Sequence, residues 1–444
     1  MKKVIIYLIL FVIFGSVTAF VILINKKKEE AFLPMKPRTG IQSNSEEYKL
    51  AKKSADELFE RIKKNPADNK SKLQLTSLYI QEARITGDHA YYDAAAMKLT
   101  EEVLKTDSTN FEANVFKGTI YLSQHHFTEA REVATRIQQL NPHNAFVYGM
   151  LVDANVELGN YEAAVAACDQ MISIRPDIRS YSRVSYLREI YGDNAGAIDA
   201  MRMAVSAGYP GEEGTEWARV HLGQLYENVG DLQNAKLQYA IALEERTDYA
   251  YAYAGLGRIA RANKNYTEAI SYFLKADAVV NDYSIKDQLT DLYLLAGEND
   301  KSTATAAQVI EMLSSKEKDG KEENSHGHYA DRELAYAYLK TGDFDKALNH
   351  ALTEYNRRPV NIEVNEMLAW VYYKQNDFAH AREYMSLALK TNSKNPTRLC
   401  RAGLIYARSG DVAKAMELIK STLEKNPNIS EELKAEAARI VPVV

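Results

Sequence analysis

The side chains with the most chemical potential in this sequence are nine histidines, two cysteines and 60 carboxylates. What they can do depends on their spacing. No Gly-rich phosphate loop, no His-Glu-x-x-His pair and no Cys-x-x-Cys occurs along the chain. Two histidine pairs stand out, His125-His126 and His326-Gly-His328. Each offers two imidazole donors, but neither has a carboxylate or thiol held at fixed spacing beside it. Both therefore read as solvated loop histidines, and no metal, cofactor or small-molecule substrate is expected. Cys168 and Cys400 are too few for a four-thiolate zinc site or a disulfide framework and read as packing residues. Paired acids at helical spacing solvate a helix face. The chain is read as a non-enzyme.

The elements that carry these side chains belong to a folded body. Hydrophobic residues make up 46% of the 444 and charged residues 26%, and 10 Pro with 21 Gly exclude collagen-like, mucin-like and long disordered chains. A typical domain size of ~150 residues would give about three domains. The net charge of -5 is uneven. Lys2, Lys3, Lys26, Lys27 and Lys28 stand without an acid in the first 28 residues, and the remaining 50 basic and 60 acidic residues leave the body at -10. So acidic a body argues against nucleic acid as a partner, since phosphate binding needs clustered Lys and Arg. Tyrosine is in excess, 29 against 12 Phe and 2 Trp, which requires a structural cause.

Residues 4–24 form an uncharged apolar run flanked by lysines, long enough at ~1.5 Å per residue to span a hydrocarbon core. This predicts a transmembrane anchor and a single-pass membrane protein. Val17-Thr18-Ala19 resembles a signal cleavage site, but the apolar run outlasts the ~7–15 residues usual for a signal peptide, so an uncleaved anchor is preferred. Lys26 to Lys28, Lys36 and Arg38 favour a cytoplasmic body by the positive-inside count; the Lys2-Lys3 start reads as an export signal-anchor and favours an extracytoplasmic one. Residues 25–44, broken by Pro34, Pro37 and Gly40, read as a tether. Ser43 with Glu46 forms a capping-box pattern opening an N-terminal capping helix within 45–70.

From there the chain is periodic. A small residue recurs at Ala96, Ala130, Ala164, Ala197, Ala235, Ala269, Ser302, Ala347, Ala381 and Ala415, at gaps of 33 or 34 residues except for two of 38 and 45. Five residues earlier stand Gly159, Gly192, Gly230, Gly297, Gly342 and Gly410, each followed by Asn160, Asp193, Asp231, Glu298, Asp343 or Asp411. Glycine can end one helix in the left-handed conformation while Asp or Asn caps the next, so this pair marks a helix–turn–helix junction. Nine residues before the small residue stands Tyr121, Tyr226, Tyr293, Tyr338, Tyr372 or Tyr406, and Pro142, Pro176, Pro359 and Pro427 lie twelve after it, where a second helix should end. Tyr239 and Phe273, with Ala242 and Ala276, fill matching places in the second helix.

These positions resemble the tetratricopeptide repeat family, a 34-residue helix pair with Gly, Tyr, Ala and Pro in this phase. The resemblance covers residues 71–428 in about ten units and implies an all-α helix–turn–helix solenoid. Four extra residues lie between Gly87 and Ala96, Ser302 replaces the small methyl, and two insertions explain the long gaps: residues 208–214, and the charged stretch 313–328, expected to loop out. Residues 429–444 supply a C-terminal capping helix.

The resemblance further implies that the first helix of each unit lines a concave face that binds an extended peptide or partner helix. Carried over by position, that face includes Asp153, Arg179, Arg183, Tyr186, Trp217, His221, Gln224, Tyr251, Arg258, Arg261 and Asp291, then Arg332, Tyr336, Trp370 and Tyr373. Arginines beside aromatics are typical of binding hot spots. An acidic or C-terminal peptide segment of a protein partner is expected to dock between Arg183 and Arg261. The layout is similar to bacterial envelope-assembly adaptors with one N-terminal span, although the four-cysteine module of some such adaptors is absent. A membrane-tethered scaffold in the bacterial cell envelope is therefore expected, with a non-catalytic subunit or spacer of a membrane-associated enzyme complex as the alternative.

Overall fold

A computed structural model describes residues 33–318, 327–425 and 429–440. Met1–Pro37 and Arg38–Val444 are separate units. In the first, residues 33–37 carry no regular structure. In the second, after a short 3-10 turn at Gly40–Asn44, the helix Glu46–Lys64 begins. Its cap is Ser45 rather than Ser43: the Ser45 hydroxyl accepts the Tyr48 N–H at 3.2 Å, while Ser43 donates to the Gly40 carbonyl.

Ten helix pairs follow. Unit 1 is Asn69–Thr86 with His89–Thr106, unit 2 Phe111–Ser123 with Phe127–Leu140, and unit 3 Ala145–Glu157 with Tyr161–Ile174. Unit 4 is Ile178–Ile190 with Asn194–Ser206, unit 5 Glu213–Asn228 with Leu232–Glu245, and unit 6 Ala250–Ala262 with Tyr266–Asp277. Unit 7 is Tyr283–Leu295 with Asn299–Lys318, unit 8 Asp331–Thr341 with Phe344–Arg357, unit 9 Ile362–Lys374 with Phe378–Ala388, and unit 10 Pro396–Arg408 with Val412–Lys425. The helix Glu431–Ala438 closes the series, and no strand occurs among the described residues.

The periodic residues explain the pairing. Ala96, Ala130, Ala164, Ala197, Ala235, Ala269, Ala347, Ala381 and Ala415 are all 0% exposed, so nothing larger than a methyl fits where the two helices of a pair cross. Ser302 is tolerated because its hydroxyl donates to the Thr290 carbonyl at 2.9 Å. Asp193, Asp231, Asp343 and Asp411 each accept the N–H three residues on, at 2.9 to 3.2 Å, capping the second helices of their units. Tyr121, Tyr226 and Tyr293 are buried, which accounts for part of the tyrosine excess.

The second helix of unit 7 extends to Lys318, into the stretch expected to loop out. Its Leu313 and Val309 are buried against Ala330, Leu334 and Ala337 of unit 8, which keeps the helix wound past residue 313. Residues 319–326 lie outside the described residues.

The expectation of a single-pass membrane protein of the bacterial envelope is corrected. Among the described residues no helix is long and apolar enough to cross a membrane. The longest, Asn299–Lys318, carries Asp300, Lys301 and Glu311. The strongly apolar Ala145–Glu157 has 13 residues, a reach of about 20 Å against a hydrocarbon core of about 30 Å. The 4–24 run on which the expectation rested lies outside the described residues.

Successive units also curl. The turn between the two helices of units 1 to 4 meets the linker that precedes the unit six places later. The Asn281 N–H donates to the Thr86 carbonyl at 2.9 Å, His125 bonds the Tyr329 carbonyl at 2.9 Å, and the Asn361 amide donates to the Glu157 carbonyl at 2.9 Å. Gly159 and Gly192 sit at two of these meetings. Both have left-handed φ, 78° and 77°, and an added Cβ would lie 2.5 Å from the Val360 carbonyl and the Asn392 carbonyl oxygen respectively. Glycine is required there twice over, for the helix-ending turn and for the approach of the next superhelical turn.

Candidate functional site

First helices contact one another in succession from unit 1 to unit 6 and again from unit 8 to unit 10, and they line the inner side of the curl. Because the solenoid closes about every six units, this face also meets itself across the interior. Arg84 of unit 1 pairs with Glu213 of unit 5 at 2.8 Å. Between them and units 6 and 7 lies a cavity of about 460 Å³. Of the residues expected on the binding face, Trp217, His221, Gln224, Tyr251 and Arg258 line it. Arg84, His89, Phe273, Ile285 and Gln288 line it as well.

The cavity wall is set by local packing. Trp217 and His221 are one helical turn apart, with ring centroids 3.9 Å apart, and the His221 Nδ1 bonds the Trp217 carbonyl at 2.8 Å. Burial pushes the His221 pKa down to about 4, so the ring is neutral at pH 7. Tyr251 donates its hydroxyl to Asp282 at 3.2 Å. Behind the wall, the Tyr239 ring sits between Gly223 and Gly255, where an added Cβ would lie within 2.6 Å of it. Its hydroxyl donates to Glu227. Arg258 grips that same carboxylate with Nε and Nη2, at 3.0 to 3.1 Å, and touches the Tyr239 oxygen at 3.0 Å.

Most inner-face cations are held in the same way. The Arg183 Nε donates to Asp153 at 2.8 Å, Arg332 pairs with Glu363 and Glu333, and Lys340 reaches Asp287 and Asp291 at 2.8 and 2.9 Å. Burial raises the Asp291 pKa against the pull of Lys340. Arg261 is different: it donates to the neutral Gln288 side chain at 2.8 Å, and burial lowers its pKa. Exposed Arg179 lies over the Phe146 ring at 5.4 Å. Tyr186 is 38% exposed, and the charge of Glu363 leads the causes that raise its pKa well above the ordinary value.

Further along, the expected face splits. The Tyr336 hydroxyl accepts from Arg401 at 3.2 Å. Trp370 and Tyr373 are each 5% exposed, stacked at 4.8 Å within the core of the last units, with the Tyr373 hydroxyl turned to Glu436. Thus the structure gathers five expected residues around one cavity, ties Asp153, Arg183, Asp291 and Arg332 into ion pairs, and buries two aromatics.

Comparison with protein-family models gives two matches, each described as tetratricopeptide repeat. One matches residues 121–189 and the other 221–280, 332–396 and 366–428. The chain belongs to the tetratricopeptide repeat family. Superkiller protein 3 of Saccharomyces cerevisiae is 20% identical over 297 residues, 64% of this chain and 18% of that protein. The chain thus spans less than a fifth of the length of this curated relative. Among solved structures, yeast Tom70 is 13% identical, covering 89% of this chain and 96% of that one, with a TM-score of 0.38. A thermophilic tetratricopeptide repeat protein of Thermus thermophilus is 20% identical, covering 47% and 98%, with a TM-score of 0.36. MamA is 19% identical, covering 36% and 91%, with a TM-score of 0.29.

Sequence reasoning on this tetratricopeptide repeat array missed Arg84, His89 and Glu213 as neighbours of Trp217. Position within a repeat places a residue on the inner face, but not opposite a unit four places away.

Proposed function

We propose that this tetratricopeptide repeat chain is a non-enzymatic protein-interaction scaffold whose inner face receives a partner segment at the cavity of units 5 to 7. The observation that carries the reading is that cavity. Trp217 and Tyr251 supply apolar surface, backed by the buried Phe273 and Ile285, and Gln224 and Gln288 supply amides that orient a main chain. Its charged neighbours Arg84, Arg258 and Lys340 already hold carboxylates. The partner chemistry favoured is therefore an apolar or aromatic anchor side chain, with Arg261 the inner-face cation best placed for a nearby acid or terminal carboxylate.

The test is affinity capture with a photo-crosslinking residue at Gln224. A partner crosslinked by the native sequence and lost in Trp217→Ala supports the reading. Capture undiminished by both Trp217→Ala and a cavity-filling Ala254→Leu rules it out.

A spacer or non-catalytic subunit of a larger complex is the second reading. It is favoured by the ion pairs that leave Arg183, Arg258 and Arg332 satisfied from within. It requires that cavity substitutions be tolerated while deletion of a unit is not.

A further inference from the structure

Outside the cavity, the superhelical closure assembles a group of metal-ligating side chains that no single repeat contains. His125 lies in the turn of unit 2, while His328 and Glu333 lie at the entry to unit 8. One ligand atom from each falls within 4.8 Å of the other two. The two imidazole centroids are 4.2 Å apart. We propose that His125, His328 and Glu333 form a binding site for a divalent transition-metal ion of the zinc class, clasping two successive turns of the superhelix.

Three observations carry it. Glu333 is 7% exposed, and its Oε2 is buried with no hydrogen-bond partner, although Arg332 donates to Oε1 at 3.2 Å. Leaving a carboxylate oxygen buried and unsatisfied is costly, and a cation is the partner that removes the cost. Next, the Tyr329 carbonyl sits 2.9 Å from the His125 Nδ1. A carbonyl can only accept, so Nδ1 carries the proton and Nε2 presents its lone pair. This is how metal-binding histidines are usually oriented by a second hydrogen bond. Finally, two imidazoles and one carboxylate suit zinc and its neighbours in the first transition row, whereas magnesium and calcium prefer sets made of oxygen alone. Ligand atoms on a tetrahedral zinc stand roughly 3.4 Å apart. The three ligand atoms, within 4.8 Å of one another, would draw together around the ion, and His328 lies in the non-helical stretch 327–330.

A metal here would tie the unit 2 turn to the unit 8 entry, joining residues some 200 positions apart. The residue five before the recurrent alanine is glycine in six units, so His125→Gly removes a ligand while placing at φ 63° the residue that position suits best.

The test is titration of the chelator-stripped full chain with Zn2+ against a chromophoric chelator, in buffer containing excess Mg2+. The native chain should bind one equivalent. His125→Gly, His328→Ala and Glu333→Gln should each raise Kd by about ten-fold or more, while the exposed His380→Ala leaves it unchanged. Zn2+ should also raise the melting temperature of the native chain and not that of His125→Gly. Native-like Zn2+ affinity in His125→Gly and His328→Ala overturns the proposal, as does failure of the native chain to take Zn2+ from the chelator, or its displacement by Mg2+.

Discussion

The hydroxyl of Tyr161 accepts the backbone N–H of Ile362 at 2.9 Å, although the two stand 201 positions apart in the chain. Tyr161 opens the second helix of unit 3 and Ile362 the first helix of unit 9, so this bond links adjacent superhelical turns. Both residues are buried. Tyr161→Phe keeps the ring and strands the Ile362 N–H. We expect a loss of about 1–2 kcal/mol in urea unfolding. An unchanged midpoint would mean the turn-to-turn bond contributes nothing.

Gly159 and Gly410 share a left-handed φ, 78° and 90°, but differ in surroundings: a Cβ at Gly410 meets nothing within 4 Å, and one at Gly159 meets the Val360 backbone. Gly410→Ala should cost about 1 kcal/mol, the price of the conformation alone. Gly159→Ala should cost a further 1–3 kcal/mol or so from overpacking. Equal losses for the two, compared by denaturant titration, would show that the turns separate without resistance.

Arg258 and Arg179 make opposite forecasts for two inner-face arginines. Arg258→Ala takes the guanidinium away from Glu227, 4% exposed, and leaves the Tyr239 hydroxyl donating to it, and a loss of about 3–5 kcal/mol is expected. Arg179→Ala removes an exposed side chain lying over Phe146, and should change stability by no more than ~0.5 kcal/mol. Binding assays that replace several inner arginines together must therefore be read beside melting curves. Similar losses for the two variants would contradict the network described around Tyr239.

His221 gives a pH dependence with a defined sign. Burial takes its pKa from 6.5 to about 4 in the folded chain. The unfolded chain therefore binds the extra proton first, and stability is lost as pH falls from about 6.5 towards 4. His221→Gln should flatten this stretch of the profile, and the difference between native and variant denaturation midpoints at pH 7 and pH 5 reads it directly. Parallel profiles would show that the ring is not shielded.

Much of this was legible in the residues. Nine recurrent alanines and Ser302 announced ten crossings because steric exclusion at a helix crossing acts on a single position, and Asp193 or Asp231 announced the turns because a cap is a local hydrogen bond. Trp217, His221, Gln224 and Tyr251 share a face by position in the repeat, which the family resemblance implies. Their enclosure could not be read that way. The pitch of a superhelix is a small angle between units summed over six of them, and no residue encodes the sum. Arg358, Asn361 and Asn392 look like ordinary linker residues until the next turn reaches them. His125 and His328 look like unrelated loop histidines for the same reason. The buried Trp370 and Tyr373 show the converse limit: position in the repeat gave the inner face, but the final helix Glu431–Ala438 covers its end.

The contacts between turns also alter how such a chain unfolds. In an open array each unit answers only to its neighbours, and segments can melt one after another. Here hydrogen bonds of Thr86 with Asn281, His125 with Tyr329 and Glu157 with Asn361 fasten units 1 to 3 onto the linkers ahead of units 7 to 9, and Gly192 of unit 4 packs closely on Asn392 ahead of unit 10. These contacts join residues about 200 positions apart and raise the contact order above that of an open array, so folding should slow and become more cooperative. Under tension, parting one coil from the next would have to break these contacts as well as those between neighbouring units.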